Sequence, residues 1–424
     1  MKVSDCCRTG LALILLAGCH RAGPRVAGPR VAGPLPHEAY IWQRVWTPPV
    51  VQAVAQARGE LAGFVPLAAE VTWHGAVPSV TRPAVRYEAL AGAGRPVGLA
   101  LRIGPFPGPF RAEDETARAL CTLARSLLAE ARAQGVEPAE LQVDFDCADA
   151  KLAGYRVWLR ALADAVRPTP VCPTVLPGWL RQRDFPPLAR EAGRYVLQVH
   201  ATEPPRDTGD MQLCDPARAA RWVEEAGKIG VPFRVALPTY TYLVAFDAAG
   251  KLAGISAEDA PAAWPGDAHL RLLRADARAL SALMQGWMRD RPAALTGVIW
   301  YRLPAATDTM NWRWPTLSAI AAGRTPRSSL RAVVTGAQPL DLALVNDGEL
   351  DEPIPSVIEA VWSDAPPTAA DALAGFTLES CPGFARFRAA PELREARLSP
   401  GEKRAIGWLR FDEKKELHVT LRQN

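Results

Sequence analysis

From residue 37 to about residue 323, short apolar and β-branched runs alternate with stretches of helical period. The runs lie at 39–45, 63–71, 96–103, 140–146, 170–176, 195–200, 233–237 and 295–303. Between them, 112–134, 152–166, 216–229 and 270–289 repeat apolar residues three and four apart, as a helix with one buried face does. The runs carry little polar alternation, which is how parallel strands covered by helices read. Eight such units predict a (β/α)8 TIM barrel over residues 37–323. The competing arrangement is a doubly wound open sheet. No GxGxxG follows the first strand, which removes its commonest form.

Past Gly323 the period falls to two. Runs at 330–334, 340–345, 356–362, 385–388, 405–411 and 417–421 are separated by turn chemistry such as Asn346-Asp347-Gly348. Residues 326–424 are therefore expected to form a small β-sandwich-like domain. The stretch DLALVNDGELDEPIP resembles strands of fibronectin-like accessory domains and points to no ligand.

The first residues set the expected compartment. Lys2 and Arg8 supply a positive region ahead of a short apolar run, LALILLA, too short to span a bilayer as a mature helix. It ends in Leu16-Ala17-Gly18-Cys19, which resembles the bacterial lipobox. That resemblance implies a signal peptide over 1–18 and a diacylglyceryl group on Cys19. The alternative is an ordinary signal peptide with Cys19 incidental. Residues 22–34 read AGPRVAGPRVAGP, so 19–36 is expected to be a loose Gly/Pro tether. Its Arg25 and Arg30 either keep it soluble or brush anionic head groups. No later stretch has about 18 consecutive apolar residues, so the membrane is expected to hold the chain through the lipid alone. His20 stands where an aspartate would resemble an inner-membrane retention signal. The expectation is the outer membrane, facing the periplasm.

Composition adds exclusions. The chain is 49% hydrophobic and 22% charged, as ordinary globular domains are. A net charge of +4 with no basic cluster argues against nucleic acid as a partner. Cys121, Cys147, Cys172, Cys214 and Cys381 are odd in number and have neither CxxC nor zinc spacing. Free thiols are expected, with no metal and no cofactor.

In a TIM barrel the chemistry sits at the C-terminal strand ends. Strand four, LQVDFD, alternates Val143 and Phe145 toward the helices with Asp144 and Asp146 toward the mouth. Two close carboxylates are the equipment of acid–base catalysis. The structural alternative is a buried Asp144 bonded to Arg102, which ends strand three on the same face. Asp149 reads as a helix cap. His200 closes strand six in phase with Gln198, and Glu203 follows in the loop. Tyr240 follows strand seven. Trp46, Trp73, Trp179 and Trp300 fall at or near the ends of strands one, two, five and eight. Indole faces suit sugar rings, although each alone is as well explained by core packing.

The segment LQVDFDCADAKLAGYRVWLRAL, with LPGWL and YVLQVHA, resembles an uncharacterised bacterial lipoprotein family with a domain of unknown function. The resemblance covers most of residues 37–320 and implies a glycoside-hydrolase-like barrel. Strand four also resembles the DxDxE strand of chitinase-type glycosidases, but Ala148 stands where the glutamate would be. The acid is then Asp146 or a carboxylate from another strand, or the barrel binds without turnover. Two functions follow: a glycoside hydrolase acting on an envelope glycan, with Asp144 and Asp146 catalytic, and a non-catalytic glycan- or protein-binding barrel. In either, Arg102, Trp46, Trp73, Trp179, His200, Tyr240 and Trp300 contact the substrate. A metal hydrolase lacks a His-x-His pair, and a serine hydrolase lacks a GxSxG elbow.

Overall fold

The computed structural model describes residues 28–75, 77–203, 212–256, 264, 266–363 and 365–422. The expected signal peptide over 1–18, Cys19 and Arg25 lie outside the described residues. Eight parallel strands close a barrel: β1 (His37–Ile41), β2 (Gly63–His74), β3 (Val97–Ile103), β4 (Pro138–Phe145), β5 (Val171–Val175), β6 (Tyr195–Gln198), β7 (Phe233–Pro238) and β8 (Leu295–Tyr301). Neighbours in sequence are neighbours in the sheet, and β8 returns to pair with β1. A helix follows each strand: α1 (Pro48–Ala57), α2 (Tyr87–Ala93), α3 (Glu115–Ala133), α4 (Leu152–Ala165), α5 (Phe185–Ala192), α6 (Pro216–Gly227), α7 (Ala277–Arg289) and α8 (Trp314–Ala321).

Local chemistry sets where these helices start. The side chains of Asp114, Asp215 and Asp276 accept backbone N–H groups at the first turns of α3, α6 and α7. Pro216 occupies the first position of α6, where its missing N–H costs nothing. The main core lies between strands and helices and includes Val143 and Phe145 of β4 with Tyr155 and Trp158 of α4. A second, smaller core fills the barrel itself, from Tyr40, Val65, Ala100, Cys172, Val196, Ala236 and Ile299. These are the alternate residues of the strands, as the pleat requires.

Two stretches differ from expectation. The helix expected over 270–289 begins only at Ala277. His269–Arg274 is instead a strand of a three-stranded antiparallel sheet with Thr241–Phe246 and Leu252–Ser256. Leu270 and Leu272 fit a period of two as well as a helical one, and the Asp276 cap decides the boundary. The loose tether is docked from Pro29 onward. Arg30–Val31 pairs antiparallel with Arg291–Pro292, ahead of β8. Arg30 bonds Asp290 at 2.6 Å and Glu224 at 2.8 Å, so it is committed to the barrel.

Behind α8 two four-stranded antiparallel sheets face one another. One joins Leu330–Thr335, Leu340–Asn346, Lys403–Arg410 and Ala369–Ala372; the other joins Phe376–Cys381, Phe384–Ala389, Val357–Val361 and His418–Arg422. Leu342, Leu344 and Ile406 from the first meet Ile358, Ala385 and Phe387 from the second in one core, which makes the pair a sandwich. The strand at 369–372 escapes a propensity reading because AADA holds no β-branched or aromatic residue. Arg324–Glu349 at 3.1 Å and Arg313–Glu402 at 3.4 Å tie the sandwich to the barrel.

Candidate functional site

At the C-terminal mouth of the barrel a cavity of about 330 Å³ is lined by residues from all eight strand ends or the loops after them. Its charged arc comes from β2 to β4. Parallel register sets Glu70 beside Arg102 and Arg102 beside Asp144. Arg102 Nη1 donates to Asp144 Oδ2 and Nη2 to Asp146 Oδ2, each at 2.7 Å. Thr174 of β5 donates to the other oxygen of Asp144 at 2.7 Å. Asp144 is thereby buried with both oxygens engaged, whereas the Asp146 side chain is 49% exposed just past the end of β4. The two carboxylates are thus separated by a guanidinium that each of them binds. Glu70 is held in turn by Arg44, at 2.8 Å.

The aromatic arc comes from β7, β8 and β1. Tyr301 at the end of β8 is its centre. Its ring lies 5.9 Å from Tyr40, 5.2 Å from Trp42, 5.7 Å from His200 and 5.3 Å from Tyr240. Tyr242 extends the cluster, 5.0 Å from Tyr240. His200 Nδ1 meets the Tyr240 hydroxyl at 3.2 Å. Burial away from water lowers the His200 pKa to about 3, so its imidazole is neutral at ordinary pH. The same desolvation raises Tyr40, Tyr240 and Tyr301 above the usual phenol value.

The structure therefore gathers Asp144, Asp146, Arg102, His200 and Tyr240 at one cavity. It does not bring the four tryptophans there. Trp300 is fully buried in the helix layer, its Nε1 donating to His37 Nδ1 at 2.9 Å. Alternation along β8 turns Trp300 outward and Tyr301 inward. Trp179 is also fully buried, donating to the Cys147 carbonyl at 3.1 Å. Trp46 is buried ahead of α1, with Nε1 unpartnered among the described residues. Trp73 packs on Phe106 at 4.9 Å, on a part of β2 that outruns the barrel. Glu203 bonds Arg218 at 2.5 Å and lines a neighbouring hollow instead.

Tyr40, Trp42, Arg44, Glu70, Thr174, Gln198, Tyr242, Tyr301 and Arg302, with Ala201 and Ala236, complete the lining. The strand-one run YIWQR held a legible signal: Tyr40, Trp42 and Arg44 alternate, and all three line the mouth. The cysteines Cys121, Cys147, Cys172, Cys214 and Cys381 are free thiols away from this cavity. Among the described residues no group of His, Cys, Asp and Glu is arranged to hold a metal ion.

Residues 93–306, which carry this mouth from β3 to β8, match a family described as a domain of unknown function, DUF3142. The chain belongs to the DUF3142 family. The segment at strand four that resembled such a family falls inside the match. Residues 331–412, in the sandwich, match a second domain of unknown function, DUF8456. No curated protein matches the chain. Among solved structures, the DUF3142 chain is similar to the spore cortex-lytic enzyme SleL of Bacillus cereus. The identity is 12%, over 69% of this chain and 75% of that one, with a TM-score of 0.48. It is similar to a chitinase of Chromobacterium violaceum at 15% identity, 68% and 98% coverage and a TM-score of 0.43. It is also similar to a xylanase and alpha-amylase inhibitor protein of Scadoxus multiflorus, at 10% identity, 69% and 98% coverage and a TM-score of 0.42. Among the described residues no helix is long and apolar enough to cross a membrane.

Proposed function

We propose that the barrel is a glycoside-hydrolase-like domain that binds and cleaves a glycan at its C-terminal mouth. The observation that carries this is the division of one cavity into two arcs. Tyr40, Trp42, Tyr240, Tyr242 and Tyr301 lie along β7, β8 and β1, and Glu70, Asp144 and Asp146 lie along β2 to β4. Aromatic faces take the C–H faces of sugar rings. Carboxylates across from them stand where a glycosidic bond would lie. Asp146 is the acid that protonates the leaving oxygen, since it is half-exposed and only one of its oxygens is bonded to Arg102. Asp144 and Arg102 hold it in place. Glu70 is the second carboxylate, receiving the proton of the attacking water. It lies two strands from the one that carries Asp146, on the order of 10 Å at the backbone, and a water acts between the two only if their carboxyl groups stand roughly 6.5–9.5 Å apart.

A second reading, a glycan-binding barrel without turnover, is favoured by Ala148. The residue two places after Asp146 is a methyl group, exposed, where chitinase-type strands carry their acid. We further propose that Cys19 is lipidated and holds the domain at the periplasmic face of the outer membrane. Replacement Cys19→Ala should then move the protein from the membrane to the soluble fraction.

The decisive experiment incubates the full chain, in detergent, with oligosaccharides and cell-wall glycans and follows products by mass spectrometry. Asp146→Asn and an Asp144→Asn/Asp146→Asn pair run beside it. Cleavage lost in both variants supports the hydrolase. Cleavage retained in both moves the acid off strand four. Retention of a glycan without cleavage selects the binding reading, and neither cleavage nor retention sinks the carbohydrate function altogether.

A further inference from the structure

Beside the mouth, on the side of β6 and β7, lies a larger hollow of about 610 Å³. It is bounded by the loop after β6, by α6 and by the three-stranded sheet inserted after β7. Antiparallel register sets Tyr242 opposite Leu273 and Val244 opposite Ile255. Alternation then puts Tyr242, Leu273 and Ile255 on one face of that sheet. All three line the hollow, and Ile255 is 38% exposed. From α6 comes the half-buried Trp222. One turn earlier, the Arg218 guanidinium lies 4.8 Å from the centre of the Trp222 ring and bonds Glu203 of the loop at 2.5 Å. The hollow and the mouth share two lining residues, Ala201 and Tyr242. Tyr242 is also the outer member of the aromatic arc, 5.0 Å from Tyr240.

The two spaces meet at Tyr242, so a ligand too long for the mouth continues from there into the hollow. Partly exposed apolar side chains gathered in a concave site, rather than scattered over a surface, mark a place where something binds. The polar groups among them are fixed in advance. Arg218 is held by Glu203, and Asp215 Oδ1 accepts the N–H groups of Ala217 and Arg218 at 2.8 and 3.1 Å. Guanidinium donors beside carboxylate acceptors suit a hydroxyl, which both donates and accepts, and an indole suits the C–H face of a sugar ring. We propose that this hollow is a second sugar-binding section, with Trp222 as its stacking residue, which takes the part of a glycan that extends out of the mouth past Tyr242. This rests on the glycan-binding function proposed above and makes its substrate a chain of several sugars rather than a mono- or disaccharide.

The test is calorimetric titration of the full chain in detergent with dimers and hexamers of β-linked glucose, xylose and N-acetylglucosamine. Asp146→Asn replaces the wild type for any oligomer that the wild type cleaves. Two variants accompany it: Trp222→Leu keeps an apolar contact with the core and removes the ring, and Trp222→Phe restores a ring. The readout is the ratio of hexamer to dimer affinity, which a partly unfolded sample leaves unchanged. The expected result is at least one hexamer that binds roughly tenfold or more tighter than its dimer, with most of that ratio lost in Trp222→Leu and most of it kept in Trp222→Phe. Equal binding of dimer and hexamer by the wild type would overturn the second section and leave the glycan function of the mouth standing. A ratio unchanged in Trp222→Leu, whether both affinities hold or fall together, would overturn the inference too, since Trp222 would then be structural. No binding of any oligomer would take down the glycan function and this inference together.

Discussion

His200 shows how one side chain's surroundings set its chemistry. At the end of β6 it is nearly enclosed by Tyr240, Tyr301 and the cavity wall, and desolvation holds its pKa at about 3. His37, buried against Trp300, is held at about 4 by the same cause. Both values lie below the ordinary 6.5, so the unfolded chain takes up protons that the folded one refuses. Their contribution to stability is fully present above about pH 6.5 and is lost as the pH falls toward 4 and then 3. Thermal unfolding at pH 7.5 and pH 4.5 should show a smaller drop in Tm for His200→Asn than for the wild type. An equal drop would show that the imidazole is not the group responsible. The neutral ring also limits His200 to accepting or donating hydrogen bonds, so it steadies the Tyr240 hydroxyl and contributes no charge to the mouth.

At the scale of the element, β4 acts as a polar ladder. Glu140, Gln142 and Asp144 are alternate residues, all turned into the barrel, and all are nearly buried. Tyr40 donates to Gln142 at 2.6 Å, Gln142 donates to Glu140 at 2.7 Å, and Arg234 of β7 bonds both Glu140 and Glu38. The chain of bonds runs from the barrel floor to a ring that lines the mouth. Burial raises the Glu38 carboxyl above its ordinary value, and Arg234 pulls it back. Replacing Arg234 with Met should therefore destabilise the protein by about 3–5 kcal/mol, because two carboxylates lose the cation they share and only Arg194, 3.9 Å from Glu140, remains near them. Chemical denaturation measures it, and a cost below about 1 kcal/mol would mean the triad is dispensable. Strand four was legible because a two-residue alternation of acids in an apolar run has few explanations. The tryptophans were not, because a residue at a strand end can turn to either side, and one step of register separates Trp300 in the core from Tyr301 in the mouth.

Across the whole molecule, the N-terminal segment and the candidate site occupy opposite ends of the barrel. Residues 29–34 bind at the N-terminal face, ahead of β8. The buried Arg291 guanidinium donates there to the carbonyls of Gly33 at 2.7 Å and Pro34 at 3.4 Å. A chain begun at His37 loses these acceptors and the pairing of Arg30–Val31. It should unfold a few degrees lower than one begun at Gly28, the size of shift that one or two kcal/mol produce in a large domain. Differential scanning calorimetry decides this, and identical midpoints would reduce the segment to a tether after all.

Periodicity in the sequence was enough to determine eight βα units, the change to a sandwich after Gly323 and the strand that carries Asp144 and Asp146. Those features depend on spacing within one element, which the chain itself records. Only the tertiary structure decided that Arg102 stands between the two aspartates, that Glu70 and Arg302 belong to the same cavity, and that Tyr40, Trp42 and Tyr301 rather than four tryptophans form its aromatic wall. These depend on the register between strands far apart in sequence. Closure of the barrel sets that register, and no local pattern encodes it.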